Sequence, residues 1–454
     1  MGHFTTSDSA LIMLSVVVTF LCIKAVGSQL YSDFQSSKDP VTDIFSLAQV
    51  LKKSNENPAA QLTTPMLVQK YGYPVESHKV VTSDGYVLTM HRIPHGKNEY
   101  FHENEIHHQH RPVVILQHGL FASSFEWMMN KPDKLLALKL ADSGWDVWLG
   151  NARGNAYSRE HLTLSPSQKE FWEFSFHEMG DKDIPAVIDY ILNTTGHKKL
   201  KYVGFSMGTT MFWTMMSLHP EYNEKVSLMV ALAPVVYINN MMVFYKVHFI
   251  IRNAGGYVKS IGKMQVLVQL SPNISRKRYY EGNRDGTVVE VPLFGTKFCS
   301  NTWIAETVCA NINFLFAGWD LPQTQINQLP LFYNHTPSPT STKTVAHIVQ
   351  FIHTGIYCQY DYGHRENMMR YGSSVPPRYN VKNTTVPVAL LWGPNDAVVN
   401  PIDVKRLASQ LPNLVFNSPV QYPLWNHFDY HLGKDADQLV NPVVINLLSS
   451  WAKK

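Results

Sequence analysis

Three residues that lie far apart in the chain have the types needed for nucleophilic cleavage of an ester or amide bond. Ser206 stands in the sequence Gly-Phe-Ser-Met-Gly, typical of a sharp strand-to-helix turn that holds a nucleophile in a strained backbone conformation. Asp396 and His427 follow in the order acid, then base, each after a predicted strand. A hydroxyl attacks efficiently when a base takes its proton and a carboxylate orients that base. We therefore predict that these residues form one site, with the serine hydroxyl exposed above the sheet.

Other residues offer similar chemistry nearby. Asp403 lies at a predicted helix start, where a carboxylate complements the helix dipole. Asp429 is too close in sequence to the predicted base to orient it, and His431 lies four residues beyond that base, inside the next element. A thiol nucleophile, Cys358 with His353, is a further alternative.

Two backbone amides are predicted to stabilise the oxyanion that such an attack creates. One belongs to Met207, directly after the nucleophile, and the other to Leu120, in the His-Gly-Leu sequence that ends the apolar strand 112–117. Serine hydrolases of this architecture take one N–H from each of these two places. An ordinary strand-ending turn is the alternative interpretation of His118-Gly119.

Predicted strands alternate with predicted helices through most of the chain, which indicates an α/β fold with a mostly parallel sheet and helices on both faces. The predicted strands are 80–82 and 86–93, joined by an Asp-Gly turn, then 112–117, 145–149, 200–203, 226–232, 386–392 and 420–422. The predicted helices are 135–140, 181–193, one from Ser206 that ends before Pro220, one begun by Asn400 and Pro401, and a last one with Asn441 as its cap.

The alternation lapses between residues 236 and 362, a stretch rich in Met, Phe, Tyr and Leu. We interpret it as a mainly helical insertion over the active-site face. The hydrolase core is then divided into residues 64–235 and 363–454.

The N-terminus has the pattern of a secretory signal. Residues 10–23 are mostly apolar and small residues follow, so we predict a signal peptide of residues 1–27 and no membrane span after its removal. A membrane anchor is the alternative interpretation, but a span needs about 20 apolar residues. Residues 28–63 are polar and are predicted to be a propeptide or a loosely attached arm. Four Asn-x-Ser/Thr sequons are compatible with this route; they are Asn193, Asn273, Asn334 and Asn383.

Removal of the signal would leave three cysteines in an oxidising compartment. Cys299 and Cys309 are near enough in sequence to close a small loop, and Cys358 would remain free or pair elsewhere.

Composition excludes some classes of function. A chain with 45% hydrophobic and 16% charged residues is globular, and a net charge of +4 without long basic runs gives no support for nucleic-acid binding. The segment 95–111 contains His95, His102, His107, His108 and His110. We interpret them as solvated surface residues and predict no metal site, because no cysteine and no regular element fixes a ligand geometry there.

From about Thr64 to the C-terminus the chain resembles the acid lipase family of α/β-hydrolases, which includes gastric and lysosomal acid lipases. The sequences that carry the resemblance are Gly72-Tyr73-Pro74, Asp84-Gly85-Tyr86, Leu116-Gln117-His118-Gly119-Leu120, residues 146–155 (Asp-Val-Trp-Leu-Gly-Asn-Ala-Arg-Gly-Asn), residues 171–176 (Phe-Trp-Glu-Phe-Ser-Phe), Ala231-Leu232-Ala233-Pro234 and Asn426-His427. Two features depart from the family: Phe205 and Met207 replace its usual His and Gln beside the serine, and Ala317 replaces a cap cysteine while Cys358 is additional.

The resemblance implies hydrolysis of neutral-lipid esters, triacylglycerols or sterol esters, at a lipid–water interface without a cofactor. It also implies a helical cap with a mobile lid near residues 268–297, and a secreted or lysosomal protein. A carboxylesterase for soluble or specialised esters is the nearest alternative, and a non-catalytic lipid-binding protein on the same fold is another.

Overall fold

The computed structural model describes residues 58–97, 111–242 and 309–451. Several predictions concern residues outside these ranges: the signal peptide 1–27, most of the arm 28–63, the histidines from His102 to His110, the lid 268–297, Asn273 and Cys299. Residues 58–63, the last part of the predicted arm, are attached to the core, because Ala59 and Leu62 pack against it.

The described residues contain a nine-stranded sheet with the order β1-β2-β4-β3-β6-β7-β8-β9, in which β5 pairs with β2. The strands are β1 Glu76–Val81, β2 Tyr86–Ile93, β3 Val113–Gln117, β4 Asp146–Leu149, β5 Glu160–His161, β6 Leu200–Phe205, β7 Val226–Leu232, β8 Val388–Trp392 and β9 Leu414–Pro419. The first two form the predicted antiparallel hairpin, and the strands from β4 to β9 along the sheet are parallel to their neighbours. The predicted mostly parallel sheet is confirmed.

Apolar sequence explains why the central strands form. Every residue of β3, β4 and β6 is buried, as expected of parallel strands covered on both faces. The described α-helices, which supply much of this cover, are Thr64–Lys70, Leu136–Asp142, Phe176–Glu178, Ile184–Thr195, Met207–Leu218, Ala310–Ala317, Leu329–His335, Thr342–Thr354, His364–Tyr371, Pro401–Ala408, Asp429–Leu432, Ala436–Leu439 and Asn441–Ser450. None of the helices within the described ranges combines the length and apolar character needed to cross a bilayer.

Two predicted element boundaries near the C-terminus are wrong. The last strand is Leu414–Pro419, not 420–422. It lies at the edge of the sheet, and its first residues alternate between partly covered and exposed positions. Its sequence therefore lacks the continuous apolar character of the central strands. Asn441 does not cap the last helix but is its first residue. Its buried amide instead donates to the carbonyl oxygen of Lys134 at 2.8 Å, which ties this helix to another part of the core.

The insertion enters and leaves the sheet between neighbouring strands, because β7 pairs directly with β8. Its described part includes the helices Ala310–Ala317, Leu329–His335 and Thr342–Thr354, in agreement with a mainly helical segment. The boundaries 236 and 362 remain a prediction.

A buried arginine connects the hairpin turn to the helical layer. Arg153 exposes 1% of its surface. Its guanidinium donates to both carboxylate oxygens of Asp84 at 2.7 and 3.0 Å and to Asp183 at 2.8 Å, and it lies 4.0 Å from the centre of the Tyr86 ring. Asp183 is itself fully covered, and burial outweighs the arginine and raises the pKa of its carboxyl.

Replacing Arg153 with methionine is expected to lower the free energy of unfolding by about 3–5 kcal/mol, because it leaves a buried carboxylate without its cation. Urea denaturation at pH 7 measures the change. The matched control is Arg370→Met, which removes an exposed ion pair with Glu366 and should cost less than about 1 kcal/mol. Equal losses of unfolding free energy in the two variants would contradict the interpretation of Arg153 as the cation that stabilises a buried carboxylate.

Candidate active site

Ser206 lies at the carboxyl end of β6, where the chain turns into the helix Met207–Leu218. Its φ angle is +52°, so the strained conformation predicted from the sequence is present. The flanking glycines allow the turn to close: a Cβ on Gly208 would lie 2.4 Å from the carbonyl oxygen of Gln117, and one on Gly204 would lie 3.0 Å from the Gly208 backbone. A larger residue at position 208 would collide with β3.

The structure brings the three predicted residues together in one hydrogen-bonded chain. His427 Nε2 is 3.0 Å from Ser206 Oγ, and His427 Nδ1 is 2.8 Å from Asp396 Oδ2. The other carboxylate oxygen of Asp396 accepts from the amides of Val398 and Val399, both at 2.8 Å. With these donors holding the carboxylate, the ring is expected to carry its proton on Nδ1, and Nε2 can accept the proton of the serine hydroxyl.

The predicted exposure of the serine is wrong. Ser206 exposes only 7% of its surface, and His427 and Asp396 expose 5% and 4%. The loop after β3 lies directly against the serine, since a Cβ on Gly119 would be 3.1 Å from the Ser206 Cβ. The turn does lift the residue off the sheet, but its neighbours cover it.

The alternative acid and base residues have other partners. Asp403 accepts from the amide and side chain of Asn240 at 3.1 and 2.7 Å. Asp429 accepts from the amide of Asn426 at 2.7 Å. Burial lowers the pKa of His431 to about 3.

The alternative thiol nucleophile lies in an unfavourable environment. Cys358 is a buried free cysteine, and burial raises the pKa of its thiol to about 11. A reactive cysteine requires the opposite shift, because the thiolate is the nucleophile.

The two amides predicted for the oxyanion hole flank the serine. Met207 is the first residue of its helix, where backbone N–H groups lack partners within the helix. Leu120 follows Gly119 in the loop packed against the serine. Neither amide donates to an acceptor within the described ranges, so both are available to an oxygen formed at the serine.

A buried histidine fixes the loop that carries Leu120. His118 Nδ1 is 2.7 Å from the Gly119 carbonyl oxygen, and its Nε2 accepts from the amide of Ala152 at 3.0 Å. Burial lowers its pKa to about 4, so the ring is neutral above that pH. His118 therefore connects the loop after β3 to the loop after β4. An ordinary strand-ending turn, the alternative interpretation of His118-Gly119, would not require this connection.

The chain is similar in sequence to known lipases. Residues 64–131 match a family described as a partial alpha/beta-hydrolase lipase region, and residues 112–252 match the alpha/beta hydrolase fold. Bovine gastric triacylglycerol lipase is 37% identical over 407 residues, which cover 89% of this chain and 95% of that protein. Human lipase member K is 36% identical over 401 residues, which cover 88% and 94%.

The chain belongs to the acid lipase family of α/β-hydrolases. It is a carboxylic ester hydrolase of the lipase type, as the family resemblance implied. A solved structure of a lipase candidate from Sulfolobus solfataricus, 12% identical, covers 83% of this chain and 99% of its own length with a TM-score of 0.50. That likeness concerns the fold alone.

A glutamate missed by the sequence analysis supports the oxyanion loop of this acid lipase. Glu126 Oε2 accepts from the amide of Gly119 at 2.8 Å, and its side chain exposes 12% of its surface. His431 Nε2 is 4.0 Å away, too far for a hydrogen bond. Burial raises the pKa of Glu126 to about 8. The acidic residue within the otherwise apolar run Phe-Glu-Trp-Met-Met was the available signal.

Glu126→Gln is expected to make the stability of this acid lipase less sensitive to alkali. The pKa of Glu126 rises from about 4.3 in the unfolded chain to about 8 in the folded chain. The stability gained by holding this proton is therefore complete below pH 4.3 and is lost as pH rises through 8. Glutamine retains an acceptor for Gly119 and cannot ionise. Between pH 5 and pH 8 the melting temperature of the variant should rise by about 5 °C or more relative to that of the wild type. A difference in melting temperature that stays constant over this range would contradict the prediction.

The predicted modification sites are only partly within the described ranges. Asn193 and Asn334 are exposed and Asn383 is partly covered, so glycosylation remains a prediction. Cys309 is disulfide-bonded; since Cys299 lies outside the described residues, the pairing of the two also remains a prediction.

Proposed function

We propose that this protein hydrolyses the ester bonds of neutral lipids, triacylglycerols or sterol esters, through an acyl-enzyme formed on Ser206. The observation that carries the proposal is the hydrogen-bonded chain from Ser206 Oγ through His427 to Asp396, with separations of 3.0 and 2.8 Å. The similarity to bovine gastric triacylglycerol lipase supports the choice of a lipid ester.

In the first half of the reaction, Ser206 Oγ attacks the ester carbonyl carbon and its proton passes to His427 Nε2. Asp396 stabilises the imidazolium formed by this transfer and keeps the ring in the productive orientation. The carbonyl oxygen becomes an oxyanion that accepts hydrogen bonds from the amides of Leu120 and Met207. Collapse of this tetrahedral intermediate breaks the ester C–O bond, and the departing alkoxide takes the proton from His427.

In the second half, a water molecule attacks the acyl carbon and gives its proton to His427 Nε2. The second tetrahedral intermediate forms at the same two amides. Its collapse breaks the bond to Ser206 Oγ, which recovers the proton from His427, and the fatty acid leaves. The side chains are returned to their starting protonation states.

The proposal is tested with the purified full-length protein on an emulsified long-chain triacylglycerol, a sterol ester and a soluble short-chain ester. A fluorophosphonate probe followed by peptide mapping identifies the nucleophile. We expect label on Ser206 and hydrolysis of at least one emulsified neutral-lipid ester. Label on Ser206 with hydrolysis of the soluble ester alone would indicate a carboxylesterase. Absence of both label and hydrolysis, with lipid binding retained, would indicate a lipid-binding protein.

We also propose that the protein enters the secretory pathway and acts outside the cell or in lysosomes. The signal-like pattern of residues 1–27, the oxidised state of Cys309 and the exposed sequon residues Asn193 and Asn334 support this route. Expression of the full chain in animal cells tests it. We expect an N-terminus near residue 28 and a mass that falls on N-glycosidase treatment, whereas an intact, unglycosylated chain in the cytosol would contradict the proposal.

A further inference from the structure

The aromatic side chain beside the nucleophile contacts the proposed base. Phe205 exposes 2% of its surface, and its ring centre is 5.0 Å from that of His427, with the two planes tilted by 38°. The other ring contact of His427 among the described residues is with Phe428, its neighbour in the chain, at 6.1 Å. Within the described ranges, Phe205 is therefore the ring from a distant part of the chain against which the base packs.

The same ring also contacts the short helix that follows the base. The ring centre of Phe205 is 5.6 Å from that of Tyr430 and 4.5 Å from that of His431, which it meets edge to face. Both partners are buried in the helix Asp429–Leu432. Ring centres about 4.5–7 Å apart are in the favourable range for aromatic pairs. Three contacts from one side chain thus fix residues 427–431 relative to the nucleophile.

Phe205 covers the loop that carries the proposed oxyanion-hole amide of Leu120. A Cβ on Gly119, the residue before Leu120, would lie 3.2 Å from Phe205 Cδ1 and 3.4 Å from Phe205 Cε1. The ring therefore touches the loop after β3 as well as the segment of the base. A change in its shape is expected to affect both.

The backbone of Phe205 is held in the centre of the sheet. Phe205 is the last residue of β6 and the register partner of Leu232 in β7. The next residue, Ser206, has the φ angle of +52°, and its amide donates to the carbonyl oxygen of Leu232 at 3.0 Å. One turn therefore places both the nucleophile and the ring against which the base packs.

We propose that Phe205 is a positioning residue that holds the ring of His427 in line with Ser206 Oγ and supports the oxyanion loop from the same place. The inference rests on the proposed function, because Phe205 acts through the proposed base. The separation that it maintains is the 3.0 Å between His427 Nε2 and Ser206 Oγ. A misplacement of about 1 Å between reacting groups can cost about 100-fold in rate.

Phe205→Leu is the central test. Leucine is apolar and smaller, so it fits the space of the phenylalanine but removes the flat ring from His427. We expect kcat on a soluble ester to fall about 10–100-fold. KM should change by less than about threefold, because His427 serves both halves of the reaction and the loss falls on the transition states.

The measurement separates positioning from folding. The kcat value is expressed per active site, and the sites are counted by complete fluorophosphonate labelling of Ser206. Unfolded protein then does not contribute to the result. The rate constant of labelling should fall by a factor similar to that of kcat, since the probe also requires an activated serine.

Phe212→Leu is the matched control. Phe212 is fully buried in the helix after the nucleophile, and its ring contacts Tyr202 and Trp213 at 4.8 and 5.3 Å. Its replacement makes the same change in a buried phenylalanine. The melting temperature should fall, while kcat per active site stays within about threefold of the wild type.

Phe205→His tests whether the flat ring is the feature that matters. Histidine keeps a ring that can pack against His427, so kcat per active site should stay within about fivefold of the wild type. Phe205→Met removes the ring but fills the space with a flexible side chain. It carries the same prediction as Phe205→Leu and decides the question if the leucine variant does not fold.

Three results would overturn the proposal. They are a loss of kcat per active site of less than about tenfold in the folded leucine or methionine variant, equal losses in Phe205→Leu and Phe212→Leu, and equal losses in Phe205→Leu and Phe205→His. Failure of the proposed function is recognised separately, since the wild type would then show neither Ser206 labelling nor ester hydrolysis.

Discussion

Ser206→Ala is expected to lower kcat for ester hydrolysis by about a million-fold, the loss found when the nucleophile of a serine hydrolase is removed. The serine hydroxyl is 3.0 Å from His427 Nε2, and alanine leaves that nitrogen without a proton to accept. The fold should survive, because Ser206 Oγ has His427 as its only partner within the described ranges. Initial rates on a soluble ester, with thermal unfolding as a check of folding, measure the effect.

The matched control for this substitution is Ser123→Ala. Ser123 is also buried, but it caps a short helical turn by accepting from the amide of Phe125 at 3.2 Å. Its replacement should cost about 1 kcal/mol of stability and change kcat by less than tenfold. A Ser206→Ala variant that kept more than a hundredth of wild-type activity would refute the assignment of the nucleophile.

Asp396→Asn is expected to lower kcat by about 10,000-fold with little change in structure. The asparagine carbonyl can still accept from the amides of Val398 and Val399, which now bond to Asp396 Oδ1. Its NH₂ group then faces His427 Nδ1 and donates to it, so the ring proton moves to Nε2. A protonated Nε2 cannot accept the proton of Ser206.

Asp403→Asn distinguishes this tautomer effect from the general loss of a buried carboxylate. Asp403 is as buried as Asp396 but contacts Asn240, not a histidine. Its replacement should affect stability and leave kcat within about tenfold of the wild type. Similar losses of kcat in the two variants would show that Asp396 does not act through His427.

Much of the site could be predicted because its reacting residues lie in short sequence motifs. The two glycines around Ser206 are required because a Cβ at these positions would approach other backbone atoms to as little as 2.4 Å. The nucleophile, acid and base follow β6, β8 and β9, in that order along the chain. Central strands such as β3 (Val-Val-Ile-Leu-Gln) and β8 (Val-Ala-Leu-Leu-Trp) are almost entirely apolar, so they were also visible in the sequence. The edge strand β9 was misplaced because its half-covered positions carry no such signal.

Other features could not be predicted because they depend on contacts between distant residues. Nothing local to Ala397 or His427 indicates that the amides of both residues donate to the carbonyl oxygen of Ala317, which is distant in the sequence. The role of Glu126 depends on the amide of Gly119. Burial of Ser206 likewise arises from loops that come from other parts of the chain. Sequence patterns identify the reacting groups better than the residues that hold them in place.

The adjacency of β7 and β8 has a consequence for how the family can diversify. Leu232 and Leu391 are register partners, so the long excursion between the two strands begins and ends at one strand spacing, about 4.8 Å. The entropy of closing a flexible loop grows only logarithmically, by about 0.6 kcal/mol for each doubling of its length. The segment inserted there can be lengthened or exchanged while the strand register is unchanged. The replacement must restore one acceptor, the carbonyl oxygen of Ala317, which accepts hydrogen bonds from the amides of Ala397 and His427.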